Sequence, residues 1–158
     1  MIVLGIDPGP EESAWFLWDS EQRRGIARGY DENADVLKML LQVKNDPRVV
    51  FACEKVVSYG MPVGASVFDM CYWMGRFWQA VDPAPFHMIP FNNVRAYLCH
   101  TAKAKDANMR LALIEKYGPV GTKKQPGPFF GVSNHVWSAA GVAITHADSE
   151  IIKGGNTP

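Results

Sequence analysis

The sequence predicts a single α/β domain built on a mixed five-stranded sheet flanked by helices, and three observations carry that expectation. Residues Ile2–Ile6 (IVLGI) form an unbroken apolar run, as expected of a central strand covered on both faces. Two more strand-like segments follow, separated by a turn short enough for a hairpin. From Val49 onward short strands alternate with helical patterns, the mark of crossover connections between parallel strands.

Taken in order, 2–6 is the first strand, stopped by Pro8-Gly9-Pro10 just after Asp7. Residues 13–19 (SAWFLWD) and 23–30 (RRGIARGY) read as the second and third, with Ser20-Glu21-Gln22 between them. Asp31 or Asn33 is placed to cap a helix over 34–44, where Val36, Leu37, Leu40 and Leu41 repeat at helical spacing. Asn45-Asp46-Pro47 ends it, and VVFAC (49–53) is a short buried strand closing on Glu54. A turn-rich loop, SYGMPVG (58–64), leads into a helix over 63–81 that is apolar around most of its circumference. An exposed helix needs only one apolar stripe, so this one is expected to be central or covered by a partner subunit. FHMIP (86–90) is the fifth strand and 91–100 a short helix. Asp106 is expected to cap a helix over 107–117 that stops at Gly118-Pro119. A Gly-, Pro- and Lys-rich loop (120–131) precedes a last helix over 133–147, and the tail from about 149 is expected to fray.

With 158 residues the chain is long enough for one domain with its own core, and neither a repeat nor a low-complexity linker divides it. No apolar run approaches the ~20 residues of a membrane helix, and the opening residues lack the basic lead of a signal peptide. Cys53, Cys71 and Cys99 show no CxxC spacing and read as reduced, mostly buried thiols of a cytoplasmic protein. Net charge is zero but unevenly spread: Met1–Asp35 carries −5 and Arg95–Lys124 carries +5. A basic region of that kind is either a solvated face or a footprint for phosphate backbone.

Asp7 ends the first strand and Glu54 the fourth. If those strands are parallel neighbours, both carboxylates emerge at one edge of the sheet, where open α/β folds place their ligands. His135, expected in the first turn of the last helix, can face the same edge. Two carboxylates and an imidazole suit a hard divalent ion, which can activate water and stabilise a leaving oxygen in phosphodiester hydrolysis. The residues alone leave other readings open. An Asp before Pro-Gly is a common turn former, a Glu after a strand can simply reach solvent, and a histidine at a helix start is often a surface residue.

The motif VLGIDPG, the Glu at the end of the fourth strand and the late H-x-x-S-A-A-G-V-A-I-T-H (135–146) resemble the RuvC-like Holliday-junction resolvases of the RNase H-like superfamily. The resemblance runs in order from Ile2 to about His146, and the short length is similar to that of phage- or prophage-encoded members. It implies an RNase H-like fold and a Mg²⁺-dependent endonuclease, with Mn²⁺ as a substitute, that nicks paired strands of four-way or other branched DNA. Asp7 and Glu54 fall on the family's first two catalytic carboxylates. His135 falls where the family has Asp or His, as a ligand or a general acid/base. The family's further Asp falls on Ser138, a weak ligand that would act through water. Asp148 lies too far along the helix to replace it.

The resemblance also implies a homodimer packed through the helix 63–81. It implies a junction-probing loop in which Tyr59 and Met61 wedge against bases, and phosphate contacts from Lys103, Lys105, Arg110, Lys123 and Lys124. The missing acid at Ser138 raises one alternative, a catalytically weak dimer that binds branched DNA by shape. An ATPase of the actin-like branch would need a second phosphate loop and a duplicated domain, for which 158 residues leave no room.

Overall fold

The computed structural model describes residues 1–58, 60 and 62–155. Five strands, β1 (Ile2–Asp7), β2 (Glu12–Asp19), β3 (Arg24–Glu32), β4 (Val49–Lys55) and β5 (Phe86–Pro90), form one sheet in the order β3-β2-β1-β4-β5. The β1–β2 and β2–β3 pairs are antiparallel, whereas β1–β4 and β4–β5 are parallel. Helices α1 (Asn33–Val43) and α2 (Ala65–Val81) form one layer. The other holds α3 (Phe91–Cys99), α4 (Asp106–Tyr117) and α5 (Val136–Gly155).

Side chains alternate between these layers along each strand. Leu4, Ile6, Phe51 and Cys53 pack with Leu40 and Phe77 of α1 and α2. Val3, Phe16, Trp18 and Ala52 pack with Ala139, Ala143 and Ile144 of α5. Gly5 lies directly beneath α5: a Cβ there would sit 2.7 Å from that of Ala143 and closer still to the Ala139 carbonyl. The same parity puts Asp7 and Glu54 on the α5 side of the sheet. Ile6 pairs with Cys53, so the two acids end neighbouring strands at one level.

Several local expectations are corrected. Neither Asp31 nor Asn33 caps α1. Glu32 holds the cap position, while buried Asn33 accepts a hydrogen bond from Ser13 and donates to the Gly9 carbonyl. Asp106 is the first residue of α4 rather than its cap; Lys105 precedes the helix, its backbone N–H donating to Asn108 Oδ1 at 3.1 Å. Asn134 adopts left-handed backbone (φ 44°), which Asn tolerates better than most residues. The turn it makes leaves His135 one residue ahead of α5 rather than within its first turn. Residues expected to fray continue α5 to Gly155. Cys71 is exposed on α2, unlike buried Cys53.

The helix over 63–81 starts at Ala65 and is only partly covered. It buries Phe77, Ala80 and Val81, yet leaves Phe68 65%, Tyr72 61% and Trp78 51% exposed. Among the described residues, no helix is long and apolar enough to cross a membrane.

Candidate active site

At the end of β1 the chain must turn away at once, because Pro8 and Pro10 cannot continue the ladder. Gly9 N–H donates to Ser13 Oγ at 3.1 Å, and Asn33 Nδ2 donates to the Gly9 carbonyl at 3.0 Å. This buried clasp fixes the turn and with it the direction of Asp7. The turn former and the candidate site residue read at Asp7 are therefore compatible.

His135 Nδ1 lies 3.4 Å from Asp7 Oδ2, with the carboxylate largely buried and the imidazole largely exposed. Tyr30, at the far end of β3, stacks on the imidazole at 5.4 Å between ring centres and 18° between planes. Burial raises the pKa of Asp7 to about 6, and the charge of His135 opposes that shift. Burial, and after it the charge of Asp7, raises Glu54 to about 8, with Arg95 pulling the other way. The two carboxyl groups are close enough to share a proton, so the pair titrates as a unit.

This chemistry fits a hard divalent ion. Two oxygen donors are held in a partly dry place where His135 and Arg95 offset their mutual repulsion only in part, and a cation relieves both costs. Among the described residues, no three His, Cys, Asp or Glu side chains already converge as a metal cage. The donor nearest to joining the two acids is His135, already 3.4 Å from Asp7 and stacked on Tyr30.

Beside this pair lies a cleft of about 1140 Å³ lined by Tyr30, Asp106, Arg110, His135 and Ser138. Ser138 belongs to the first turn of α5, where its N–H donates to the His135 carbonyl at 3.0 Å. Arg110 lies over Trp137, 5.2 Å from the ring centre. Lys103 and Lys105 are exposed on the segment leading into α4, next to Asp106. Lys123 and Lys124 are placed elsewhere, on a turn closed by the Gly121–Pro126 bridge. That loop docks on β3 through the Gly25 N–H and the Pro128 carbonyl. Gly25 pairs with Trp18 and Trp18 with Val3, so the anchor lies towards the other end of β1 from Asp7. Tyr59 and Met61 fall outside the described residues.

Sequence reasoning missed three neighbours of the site. Tyr30 carried no signal, since an aromatic at a strand end is unremarked in an α/β sequence. Arg95 was counted only within the basic segment. Asp106 was read as a helix cap, yet its charge helps to raise both Asp7 and Glu54, so it lies within electrostatic reach of them while its carboxylate pairs with Arg95. Asp148 is excluded from the site as expected. Its carboxylate accepts from Tyr97 at 2.8 Å, Tyr117 at 2.6 Å and Lys116 at 2.8 Å, tying α3 and α4 to the later half of α5.

No family model matches the chain, and no curated protein matches it. Among solved structures, Thermus thermophilus RuvC aligns over 97% of this chain and 97% of its own, with a TM-score of 0.73 and 19% identity. T. thermophilus RuvC in complex with Holliday junction substrate aligns over 97% and 96%, with a TM-score of 0.71 and 18% identity. At these identities the likeness is one of fold. The chain has the RuvC form of the RNase H-like fold that its motifs implied.

Proposed function

We propose that the chain is a Mg²⁺- or Mn²⁺-dependent, structure-selective endonuclease that hydrolyses phosphodiesters at four-way or otherwise branched DNA. The observation that carries this is the paired Asp7 and Glu54 at the ends of adjacent parallel strands, with His135 3.4 Å from Asp7. The fold it shares with a RuvC solved on a Holliday junction substrate supports the choice of DNA over other phosphodiesters. As an enzyme of DNA it would work in the cytoplasm.

In this reading Asp7, Glu54 and His135 hold the ion, with Ser138 contributing through water. The ion, when bound, lowers the barrier by polarising the phosphate and activating water. The chain's own residues do the rest. The Gly9–Ser13–Asn33 clasp fixes Asp7, and Tyr30 limits the rotation of His135. Lys103, Lys105 and Arg110 attract and align the phosphates of the strand entering the cleft. Lys123 and Lys124, anchored further along the sheet, would serve an outlying arm of the DNA. Tyr59 and Met61 would probe the junction from the loop between β4 and α2.

A specific observation favours a second reading. Ser138 stands where the resemblance expects an acid, and a dimer that binds branched DNA by shape while cutting poorly would carry the same fold. A synthetic four-way junction incubated with the purified protein in Mg²⁺ and in Mn²⁺ separates the two. Nicked product is expected in at least one metal, and binding without product in either would favour the binding module. Asp7→Asn is expected to abolish cleavage while junction binding survives. Unimpaired cleavage by that variant would sink the site assignment.

A further inference from the structure

Asp106 stands beside the site and is held there loosely. It lines the same cleft as His135 and Ser138. Its carboxylate is held 3.0 Å from Arg95 Nη2, and Arg95 itself lies over Phe91, 4.2 Å from the ring centre. Its side chain is 74% exposed, so leaving Arg95 requires no repacking. An ion pair with one partner so exposed adds little to stability and does not fix the side chain in one orientation.

We propose that Asp106 supplies the carboxylate that α5 lacks at Ser138, reaching from the head of α4 across the cleft to complete the divalent-cation site. This rests on the nuclease reading above and deepens it. The acid has moved from one helix to the facing one, and the cleft that both helices line keeps it near the same ion. Arg95 lies near both Glu54 and Asp106, so it parks the third carboxylate beside the other two and limits their repulsion until a cation arrives. Asp106 then has two orientations of similar energy, on Arg95 or on the ion, and a cation selects the second.

The test is Mn²⁺ binding to the full-length protein, read by titration calorimetry without DNA, alongside cleavage of a four-way junction. Asp106→Asn is expected to weaken Mn²⁺ by on the order of tenfold or more, the scale seen when partners of a metal site are removed, with an unchanged melting temperature. Adding Ser138→Asp to that variant is expected to restore Mn²⁺ affinity, which a purely structural role for Asp106 would not produce. Asp7→Asn serves as the control. If it abolishes Mn²⁺ binding while Asp106→Asn leaves the affinity unchanged, the role of Asp106 is overturned and the nuclease reading stands. If Asp7→Asn itself leaves Mn²⁺ binding and cleavage intact, both fall together.

Discussion

At the scale of single residues, the paired carboxylates make a statement about stability as well as chemistry. Burial raises Asp7 to about 6, and burial together with the charge of Asp7 raises Glu54 to about 8. Between the ordinary carboxylate range and these values, the folded protein holds protons that the unfolded chain has released. Stability therefore falls as pH rises from about 4, levelling off once about 6 and then about 8 are passed, and the two groups cost almost nothing near pH 3, where both states are largely protonated. In the absence of divalent metal, Asp7→Asn is expected to stabilise the protein by about 1–3 kcal/mol near pH 8–9 and by almost nothing near pH 3. Thermal melts of both proteins in a chelator, at those two pH values, check it; no alkaline gain would mean that the pair is better solvated than its burial implies. Asp7 and Glu54 stood out in the sequence because each follows an apolar strand, but position alone also allowed a turn former and a solvent-facing charge, and the family resemblance turned the reading toward a metal site. Asp106 was not, because an Asp at the head of a helix has an ordinary local explanation. Its nearness to the site exists only once α4 docks beside α5.

At the scale of elements, the site depends on how closely α5 lies on β1. The approach needs a glycine at position 5 facing small residues, Ala139 and Ala143. A methyl group at Gly5 meets backbone rather than a flexible side-chain end, so the helix itself has to move. Gly5→Ala is expected to cost about 1–3 kcal/mol or more, as overpacking does elsewhere. His135 sits one residue before α5 and would shift with it, so cleavage should fall further than stability. Urea unfolding and junction cleavage measured on the same preparation separate the two losses; full activity at reduced stability would show that His135 is positioned by its own loop. The strands and helices were legible from periodicity, to within a residue or two at most ends. The start of α5 was not, because the left-handed turn at Asn134 depends on the packing of the preceding loop rather than on any pattern in it. The end of α5 was missed because Gly154 and Gly155 outweighed the helical signal of Glu150 and Lys153, which pair at i,i+3 on a helix anchored by the Asp148 network.

At the scale of the molecule, α2 poses a question that one chain cannot answer. Its apolar circumference was read as that of a helix either central or covered by a partner subunit, and within one chain Phe68 and Tyr72 stand one turn apart in the open, with Trp78 further along. A sequence shows that a helix is too apolar for solvent, but not whether its own sheet or a second chain covers the excess. Large exposed aromatic side chains on one helix are costly on a monomer and ordinary at an interface between copies. A two-fold dimer through α2 would also supply what paired nicking requires, two sites related by symmetry across one junction. Phe68→Glu with Tyr72→Glu is therefore expected to yield a folded monomer that still binds Mn²⁺, since neither residue lines the cleft beside Asp7. The variant should lose coordinated cutting of both strands. Sedimentation velocity reads the mass, and a supercoiled cruciform plasmid reads the coordination, because paired nicks linearise it whereas independent nicks leave an open circle. A wild-type protein that sediments as a monomer at micromolar concentration would remove α2 as the dimer surface. A variant that stays dimeric would move the interface elsewhere on the molecule, leaving the exposed aromatics to contact the DNA itself.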